Sequence, residues 1–272
     1  PQLFEGSEPI GTLKAGLAKK WGVSPKVIVI AGGGDNAVAA CGVGALKEGD
    51  GFVSLGTSGV LLAAKDSFAP LPASAVHTFC HAVPGKWYQM GVILAATDGL
   101  NWLARNLGKD AAALSNALGD RISGPNAMQF LPYLSGERTP HNDSAVRGAF
   151  LNIDISATCD DLTQSVMEGV SFALRDSLEA LKLTGTNLTR ALAIGGGSQS
   201  SYWLELVATV LDLPLDVPEK GEFGAALGAA RLAIVAATGV HPEVIMTPPK
   251  IAKTIYPRVD LRADYDAAYD RY

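Results

Sequence analysis

The chain has 272 residues, of which 48% are hydrophobic and 18% are charged, and its net charge is -5. This composition is that of a folded globular protein and excludes a disordered one. The acidic balance argues against a nucleic-acid-binding protein, which usually carries a basic face. The three cysteines, Cys41, Cys80 and Cys159, are too widely spaced for a disulfide framework and suit a reducing, cytoplasmic location.

No part of the sequence predicts a membrane span or a signal peptide. The most apolar long segment, residues 224–238, carries Arg231 and is rich in alanine and glycine, which indicates a buried helix. The chain begins at Pro1 without a methionine, so we expect a fragment of a longer protein.

The first half of the chain is predicted to be rich in strands. Residues 1–26 are expected to be loop and a short helix. A continuous apolar run at 27–31 predicts a buried strand, and the small residues at 36–44 predict a tightly packed helix. Two hairpins and two helices follow, with strands at 51–56 and 60–64, strands at 76–83 and 87–94, and helices at 98–107 and 110–118.

The second half alternates helices with strands after a loop-rich stretch at 123–157, which contains an apolar run at 128–131. Apolar residues at helical spacing predict a long helix at 160–183. The elements predicted next are a strand at 190–194, a helix at 199–211, a strand at 214–217, a helix at 222–238 and, after a proline-spaced tail, a helix from about residue 262. This order predicts an α/β fold of the ribonuclease-H-like type, the unit of actin-like ATPase domains, with a mixed sheet flanked by helices.

Three glycine-rich turns follow predicted strands, at 32–34, 56–59 and 195–197. Glycine lets the backbone approach a ligand closely, and a turn that opens a helix offers N–H groups and a favourable dipole to a phosphate. Each turn by itself is better explained by tight turning, but three of them at strand ends favour a shared phosphate site. No Gly-x4-Gly-Lys-Ser/Thr loop occurs, which excludes a P-loop ATPase.

The third turn also imitates a dinucleotide-binding fingerprint. Gly195 and Gly197 are followed by Ser200, where the fingerprint has a third glycine, and by Asp216 about 20 residues after the turn. A dinucleotide-binding oxidoreductase domain is therefore the alternative interpretation.

Three sets of polar residues are candidates for chemistry. Asp35 follows the first glycine turn, where it could be a helix N-cap, a general base that accepts the proton of an attacking hydroxyl, or both. His77, Cys80 and His81 lie on a predicted strand and are too far apart for a metal site. The charges at 137–143 lie beside apolar strands, which predicts a buried hydrogen-bonded network. We expect Glu137, Arg138 and His141 to tie the 132–147 loop to the core without contacting substrate, with Arg138 as a buried charged partner.

Four stretches, in this order and spacing, resemble the C-terminal half of FGGY carbohydrate kinases: residues 31–37, 53–59, 130–142 and 194–198. The runs Gly-Gly-Gly-Asp-Asn and Gly-Glu-Arg-Thr-Pro-His are closest to those of xylulose kinases, whereas gluconate, glycerol and ribulose kinases share the glycine turns. Asn152 stands where the family's second signature usually has a glycine.

The resemblance implies ATP-dependent phosphorylation of a sugar hydroxyl, converting D-xylulose to D-xylulose 5-phosphate, with another FGGY sugar kinase (gluconate, ribulose or glycerol type) as the alternative. It implies that Asp35 is the catalytic base and that Asp35 and Asn36 lie beside the sugar. The nucleotide-binding residues that it implies are Gly56, Thr57, Thr97, Asn101, Gly196, Gly197 and Ser200. Mg²⁺ would bridge the ATP phosphates without a metal ligand from this chain.

The resemblance also implies a division of the chain. Residues 1–26 would lead in from a missing N-terminal domain, 27–245 would form the nucleotide-binding domain, and 246–272 would be a tail and helix. The expected partners are ATP, the sugar and the missing domain, and neither nucleic acid nor a membrane is expected. The sequence also allows a homodimer. The isolated chain is expected to be inactive, because most sugar contacts would lie in the missing domain.

Overall fold

A computed structural model describes residues 2–219 and 224–272. Its strands are β1 (Pro9–Thr12), β2 (Ile28–Ile30), β3 (Gly51–Leu55), β4 (Gly59–Lys65), β5 (His77–Cys80), β6 (Trp87–Ile93), β7 (Gln129–Leu131), β8 (Ala149–Leu151), β9 (Ala191–Ile194), β10 (Leu215–Pro218) and β11 (Ile251–Ile255). Its helices are α1 (Ala15–Trp21), α2 (Asp35–Val43), α3 (Thr97–Leu107), α4 (Ala111–Ala117), α5 (Cys159–Leu183), α6 (Ser201–Leu211), α7 (Ala225–Thr238), α8 (Pro242–Ile245) and α9 (Arg262–Arg271).

The main sheet has seven strands in the order β11-β10-β9-β3-β4-β6-β5. Strand β9 runs parallel to both β3 and β10, and the other neighbouring strands are antiparallel. The predicted mixed sheet, with antiparallel hairpins leading into a parallel half, is therefore confirmed.

Helices cover both faces of this sheet, because successive side chains of a strand point to opposite sides. On β3, Phe52 belongs to the core shared with α2 and α7. Its neighbour Val53 belongs to the larger core shared with α3, α5 and α6. Strand β4 alternates in the same way and is buried along its whole length. The result is a three-layer arrangement of helices, sheet and helices.

Helix α5 is the centre of the larger core, as its apolar spacing predicted. It begins at a capping box, in which the Thr158 hydroxyl accepts from the Asp161 N–H at 3.2 Å and the Asp161 carboxylate accepts from the Thr158 N–H at 2.9 Å. Such a reciprocal cap satisfies two N–H groups that a helix start otherwise leaves unpaired. None of the helices in the described part of the chain is both long enough and apolar enough to cross a membrane.

The first predicted strand is in place, but its predicted burial is wrong. Strand β2 pairs with β1 and lies outside the main sheet, and Val29 is 38% exposed. Helix α7 contacts this strand and Ile30 packs against the smaller core, but Ile28 and Val29 each remain more than a third exposed. The run therefore predicted the element but not its environment.

Several other elements differ from the prediction at their ends or were missed. Strands β1, β8 and β11 and helix α8 were not predicted. Strand β11 is the edge of the main sheet beside β10, and Tyr265 of α9 is fully buried, so residues 246–272 pack into the same core. The helix predicted at 222–238 is present from Ala225, and its first two predicted positions lie outside the described residues.

The 132–147 loop is tied to the core by Glu137 and Thr139, which are both buried. The Glu137 carboxylate accepts from the Leu94 N–H at 2.9 Å, and the Thr139 hydroxyl accepts from the Val92 N–H at 3.0 Å. Burial raises the pKa of Glu137 to about 7, although the N–H groups of Arg138 and Leu94 oppose this shift. The predicted buried network is thus present at the end of β6.

The predicted role of Arg138 in that network is wrong. Its side chain is exposed, and no ion pair or side-chain hydrogen bond forms between it and the rest of the described residues. Residues 137 and 139 point into the domain, so the residue between them points outward. Removing the Arg138 side chain would therefore leave no buried partner unpaired, so the large cost of an unpaired buried group does not apply to it.

Asn152 occupies a position where the backbone conformation favours glycine, with a φ of 59°. Asparagine is enriched among the non-glycine residues that adopt this conformation. Its side chain also donates to the Ala127 carbonyl at 3.0 Å. The conformation explains why a glycine would suit this position, and the hydrogen bond explains why asparagine fits.

Candidate nucleotide-binding site

The second and third glycine turns lie against each other, because β3 and β9 are parallel neighbours whose carboxyl ends meet. Gly195 has a φ of 88°, and a Cβ atom there would lie 2.7 Å from the carbonyl carbon of Leu55. A Cβ atom on Gly197 would lie 2.8 Å from the Leu55 Cβ and 3.1 Å from the Thr97 side chain. Glycine is therefore required for this close approach of two backbone segments.

Thr97, at the start of α3, holds the β3–β4 turn in place. Its N–H and its hydroxyl both donate to the Gly56 carbonyl, at 2.9 and 2.8 Å. The Thr57 carbonyl accepts from the N–H groups of Ala96, at 2.9 Å, and Asp98, at 3.3 Å. The turn's carbonyl groups therefore both point toward α3.

The N–H groups of the same turn point the other way. In a trans peptide, the carbonyl of one residue and the N–H of the next point in opposite directions. The N–H groups of Thr57 and Ser58 therefore point away from α3, side by side. Successive N–H groups in this arrangement can form a concave site for an anion.

A pocket of about 420 Å³ adjoins the joined turns. Five of the residues predicted to bind nucleotide line it: Thr97, Asn101, Gly196, Gly197 and Ser200. Gly56 and Thr57 lie next to it, because Thr97, which lines the pocket, donates to the Gly56 carbonyl, and Gly197, which also lines it, packs against Leu55. The structure thus brings seven predicted residues, drawn from three separate parts of the chain, to one region.

The opposite wall of the pocket was missed by the sequence analysis. Asp110, Ala111, Ala112, Ser115 and Asn116 line it from α4 and the residue before that helix; Gln199 and Trp203, which flank Ser200, were also missed. Asp110 is the N-cap of α4 and accepts from the Ala113 N–H at 2.9 Å, a pattern that predicts a helix start but no ligand. Nothing in the local sequence connects α4 to the glycine turns.

Asp35 and Asn36 lie apart from this pocket, at the exposed start of α2. The helix N-cap is Gly34, so the interpretation of Asp35 as an N-cap is wrong; it is the first helical residue. Its carboxylate accepts from the Asn36 N–H at 2.7 Å and from the Asn36 side chain at 3.2 Å. A negative charge at this end of a helix is favoured by the helix dipole.

The surroundings of Asp35 are formed by the β5–β6 hairpin. A Cβ atom on Gly33 would lie 3.1 Å from the Ala82 Cβ. Burial raises the pKa of Tyr88 to about 12, and the charge of Asp35 adds to this rise. The first glycine turn therefore packs on this hairpin and does not join the other two turns.

Helix α2 is fixed by direct backbone contact with α7. A Cβ atom on Gly42 would lie 2.5 Å from the Gly224 carbonyl oxygen, and one on Gly228 would overlap the Val38 carbonyl. Arg231 of α7 donates to the carbonyls of Cys41, at 3.1 Å, and Gly42, at 2.9 Å, which end α2. The position of Asp35 thus depends on small residues and one arginine far along the chain.

Comparison with known proteins identifies the family of this chain. The profile of the C-terminal domain of the FGGY family of carbohydrate kinases matches residues 51–237. A curated xylulose kinase of Escherichia coli is 43% identical over 244 residues, which are 89% of this chain and 50% of that protein. The xylulose kinase of Klebsiella pneumoniae is 41% identical over 246 residues, 89% of this chain and 50% of that protein.

A solved structure of a "xyloylose kinase" from Brucella ovis superposes with a TM-score of 0.96 at 53% identity, covering 100% of this chain and 56% of that one. The chain belongs to the FGGY family of carbohydrate kinases, in which it corresponds to the C-terminal domain. It spans about half the length of the curated relatives it matches. Asp35 and Asn36 precede the matched residues 51–237.

Family membership excludes the dinucleotide-binding alternative, and the structure gives a physical reason. The fingerprint would need the Asp216 carboxylate free for a ribose. That carboxylate instead accepts from Arg190 at 3.0 Å and from the Thr254 hydroxyl at 2.6 Å, and Asp216 is buried. Asp216 ties β10 to β11 and to the start of β9.

Proposed function

We propose that this chain is the ATP-binding half of a sugar kinase, and that the whole protein converts D-xylulose to D-xylulose 5-phosphate. The observation that carries the proposal is the pocket beside two glycine turns, with N–H groups directed away from α3. The names of the relatives, which are xylulose kinases, support the choice of sugar.

In this proposal the nucleoside enters the pocket between α3, α4 and the turn at 195–200, and the phosphates extend toward Gly56 and Thr57. Fixed N–H groups at Thr57 and Ser58 would stabilise the phosphate oxygens. Because these dipoles are already oriented, they stabilise charge in the transition state without further rearrangement. Thr97 would act by holding the turn.

Asp35 is proposed as the general base, with Asn36 beside the sugar. Phosphoryl transfer needs a hydroxyl in line with the γ-phosphate and a group that accepts its proton. An exposed carboxylate at a helix start, held by Asn36, is available for that role. The sugar would lie between Asp35 and the N-terminal half, where closure of the two halves would exclude water.

Mg²⁺ is proposed as a companion of ATP. Within residues 2–219 and 224–272 there is no group of three or more His, Cys, Asp or Glu side chains placed to hold a metal ion. Mg²⁺ commonly keeps several waters and is bound by substrate phosphates with one or two carboxylates. The described residues therefore offer no preformed cage for the ion.

The N-terminal half of the protein is the proposed partner of the segment 2–30. This segment exposes apolar side chains on β1, α1 and β2, including Ile10 at 48% and Trp21 at 60%. An exposed apolar patch of this kind marks an interaction site. In the full-length protein, Trp21 should be less accessible to acrylamide than in this chain. Quenching of each protein beside its Trp21→Phe variant measures this, and equal accessibility would contradict the docking.

A cytoplasmic location and a homodimer belong to the same proposal. Cys41, Cys80 and Cys159 are all free thiols, which supports a reducing compartment. Sedimentation of the full-length protein distinguishes a dimer from a monomer.

Gly196→Leu tests the nucleotide site directly. Gly196 lines the pocket, and a Cβ atom there would meet no other atom within 4 Å, so the variant should fold normally. The leucine side chain would occupy the space proposed for the nucleotide and should raise the Kd for ADP by about tenfold or more. Calorimetry of both proteins measures this, with melting temperature as the folding control. Unchanged ADP affinity in the variant would place the nucleotide elsewhere.

A further inference from the structure

Two serine hydroxyls meet in the wall of the nucleotide pocket. Ser115 lies on α4 and Ser200 is the N-cap of α6, and both line the pocket. The Ser115 hydroxyl donates to the Ser200 oxygen at 2.9 Å. The same Ser200 oxygen accepts from the Trp203 N–H at 3.2 Å, which caps α6.

The hydrogen-bonding capacity of Ser200 follows from these two contacts. A hydroxyl has two acceptor lone pairs and one proton to donate. Trp203 and Ser115 occupy both lone pairs, so only the proton of Ser200 is left. Across residues 2–219 and 224–272, this proton has no protein acceptor among the side-chain hydrogen bonds. Since Ser200 is partly exposed in the pocket, water accepts this proton in the free protein, and a ligand acceptor can replace that water.

We propose that Ser115 is a positioning residue for nucleotide binding, which acts by fixing Ser200 as a hydrogen-bond donor to an acceptor atom of the nucleoside. The inference rests on the proposed function. Without Ser115, the Ser200 hydroxyl can rotate and present a lone pair to the ligand. Ser115 is itself buried, with 7% of its surface exposed, so it acts through Ser200 and not on the ligand.

A double-mutant cycle on ADP binding tests this coupling. Ser115→Ala should raise the Kd for ADP by roughly 3- to 10-fold, the effect of one hydrogen bond, and Ser200→Ala should raise it at least as much. The variant carrying both changes should match Ser200→Ala, because Ser115 has nothing left to orient. Ser201→Ala, which alters a hydroxyl next in the chain but outside this pocket, is the matched control and should bind ADP as the unmodified chain does.

The substitutions were chosen so that the variants should keep the fold of the unmodified chain. Alanine is the best helix former, so Ser115→Ala should keep α4 intact. If loss of the N-cap unfolds Ser200→Ala, Ser200→Gly replaces it in the cycle, because glycine caps a helix nearly as well as serine and has no hydroxyl.

Two results would overturn the proposal. If Ser115→Ala weakens ADP binding by the same factor in the unmodified chain and in the Ser200→Ala variant, Ser115 acts on the ligand directly. If Ser115→Ala binds ADP as tightly as the unmodified chain, the hydroxyl orients nothing. Failure of the unmodified chain to bind ADP overturns the proposed nucleotide site itself, together with this inference.

Discussion

Replacing Asp35 by asparagine in the full-length protein should lower kcat for xylulose phosphorylation by about 10²–10⁴-fold, the usual cost of losing a general base. Affinity for ATP should stay within a few-fold, because Asp35 does not line the nucleotide pocket. The variant should fold, since asparagine keeps the shape of the side chain and, among the described residues, the Asp35 carboxylate forms hydrogen bonds only with Asn36. A coupled ADP-release assay measures kcat, and calorimetry measures ATP binding.

The matched control is Asp264→Asn. Asp264 is also an acidic residue in the first turn of a helix, α9, but it lies far from Asp35 in the chain and lines no part of the pocket. Both variants lose the same favourable interaction with a helix dipole, about 0.3–1 kcal/mol. Only Asp35→Asn should lose turnover. If Asp35→Asn keeps more than half of the unmodified kcat, Asp35 is not the base.

Gly228→Ala should lower the free energy of unfolding by about 3 kcal/mol or more, at or above the upper end of the usual cost of overpacking. The added methyl would overlap the Val38 carbonyl, and backbone atoms cannot rotate away as a side chain would. Helices α2 and α7 would have to separate, which would also weaken the bonds from Arg231 to the end of α2. Urea unfolding of this chain measures the change.

Gly16→Ala provides the contrast for Gly228→Ala. Gly16 is also a helical glycine, in α1, but a Cβ atom there would meet nothing within 4 Å. Because alanine is a better helix former than glycine, this variant should gain about 0.5–1 kcal/mol. Equal stability of Gly228→Ala and the unmodified chain would show that α2 and α7 are not in backbone contact, and the fixed position of Asp35 would then need another explanation.

The sequence predicted those parts of the fold that depend on local pattern. The apolar spacing of residues 160–183 predicted α5 to within one residue at its start, and β-branched and apolar runs predicted β3, β4 and β6. The carboxyl-terminal strand β11 was missed because it is a short, largely exposed edge strand with little apolar alternation. The exposure of β2 was missed because a pattern reports apolar character and not what covers it.

The same distinction holds in the candidate site. The turn at 195–197 was visible because the close approach of its backbone to Leu55 needs glycine at Gly195 and Gly197, which is a property of single residues. Ser115 was not visible, because the hydrogen bond that its side chain forms in the described part of the chain is to Ser200, 85 positions away. Arg138 was misjudged because a loop has no fixed period from which the inward-facing residues, here Glu137 and Thr139, could be identified.

A crystal structure of this chain with ADP would show directly whether the joined turns and α4 form the nucleotide site. We expect the nucleoside between α3, α4 and Ser200, in the pocket of about 420 Å³. We expect the diphosphate within hydrogen-bonding distance of the Thr57 and Ser58 N–H groups, at about 2.7–3.2 Å. ADP bound on another face of the sheet, or phosphates directed away from Gly56 and Thr57, would contradict this placement of the nucleotide.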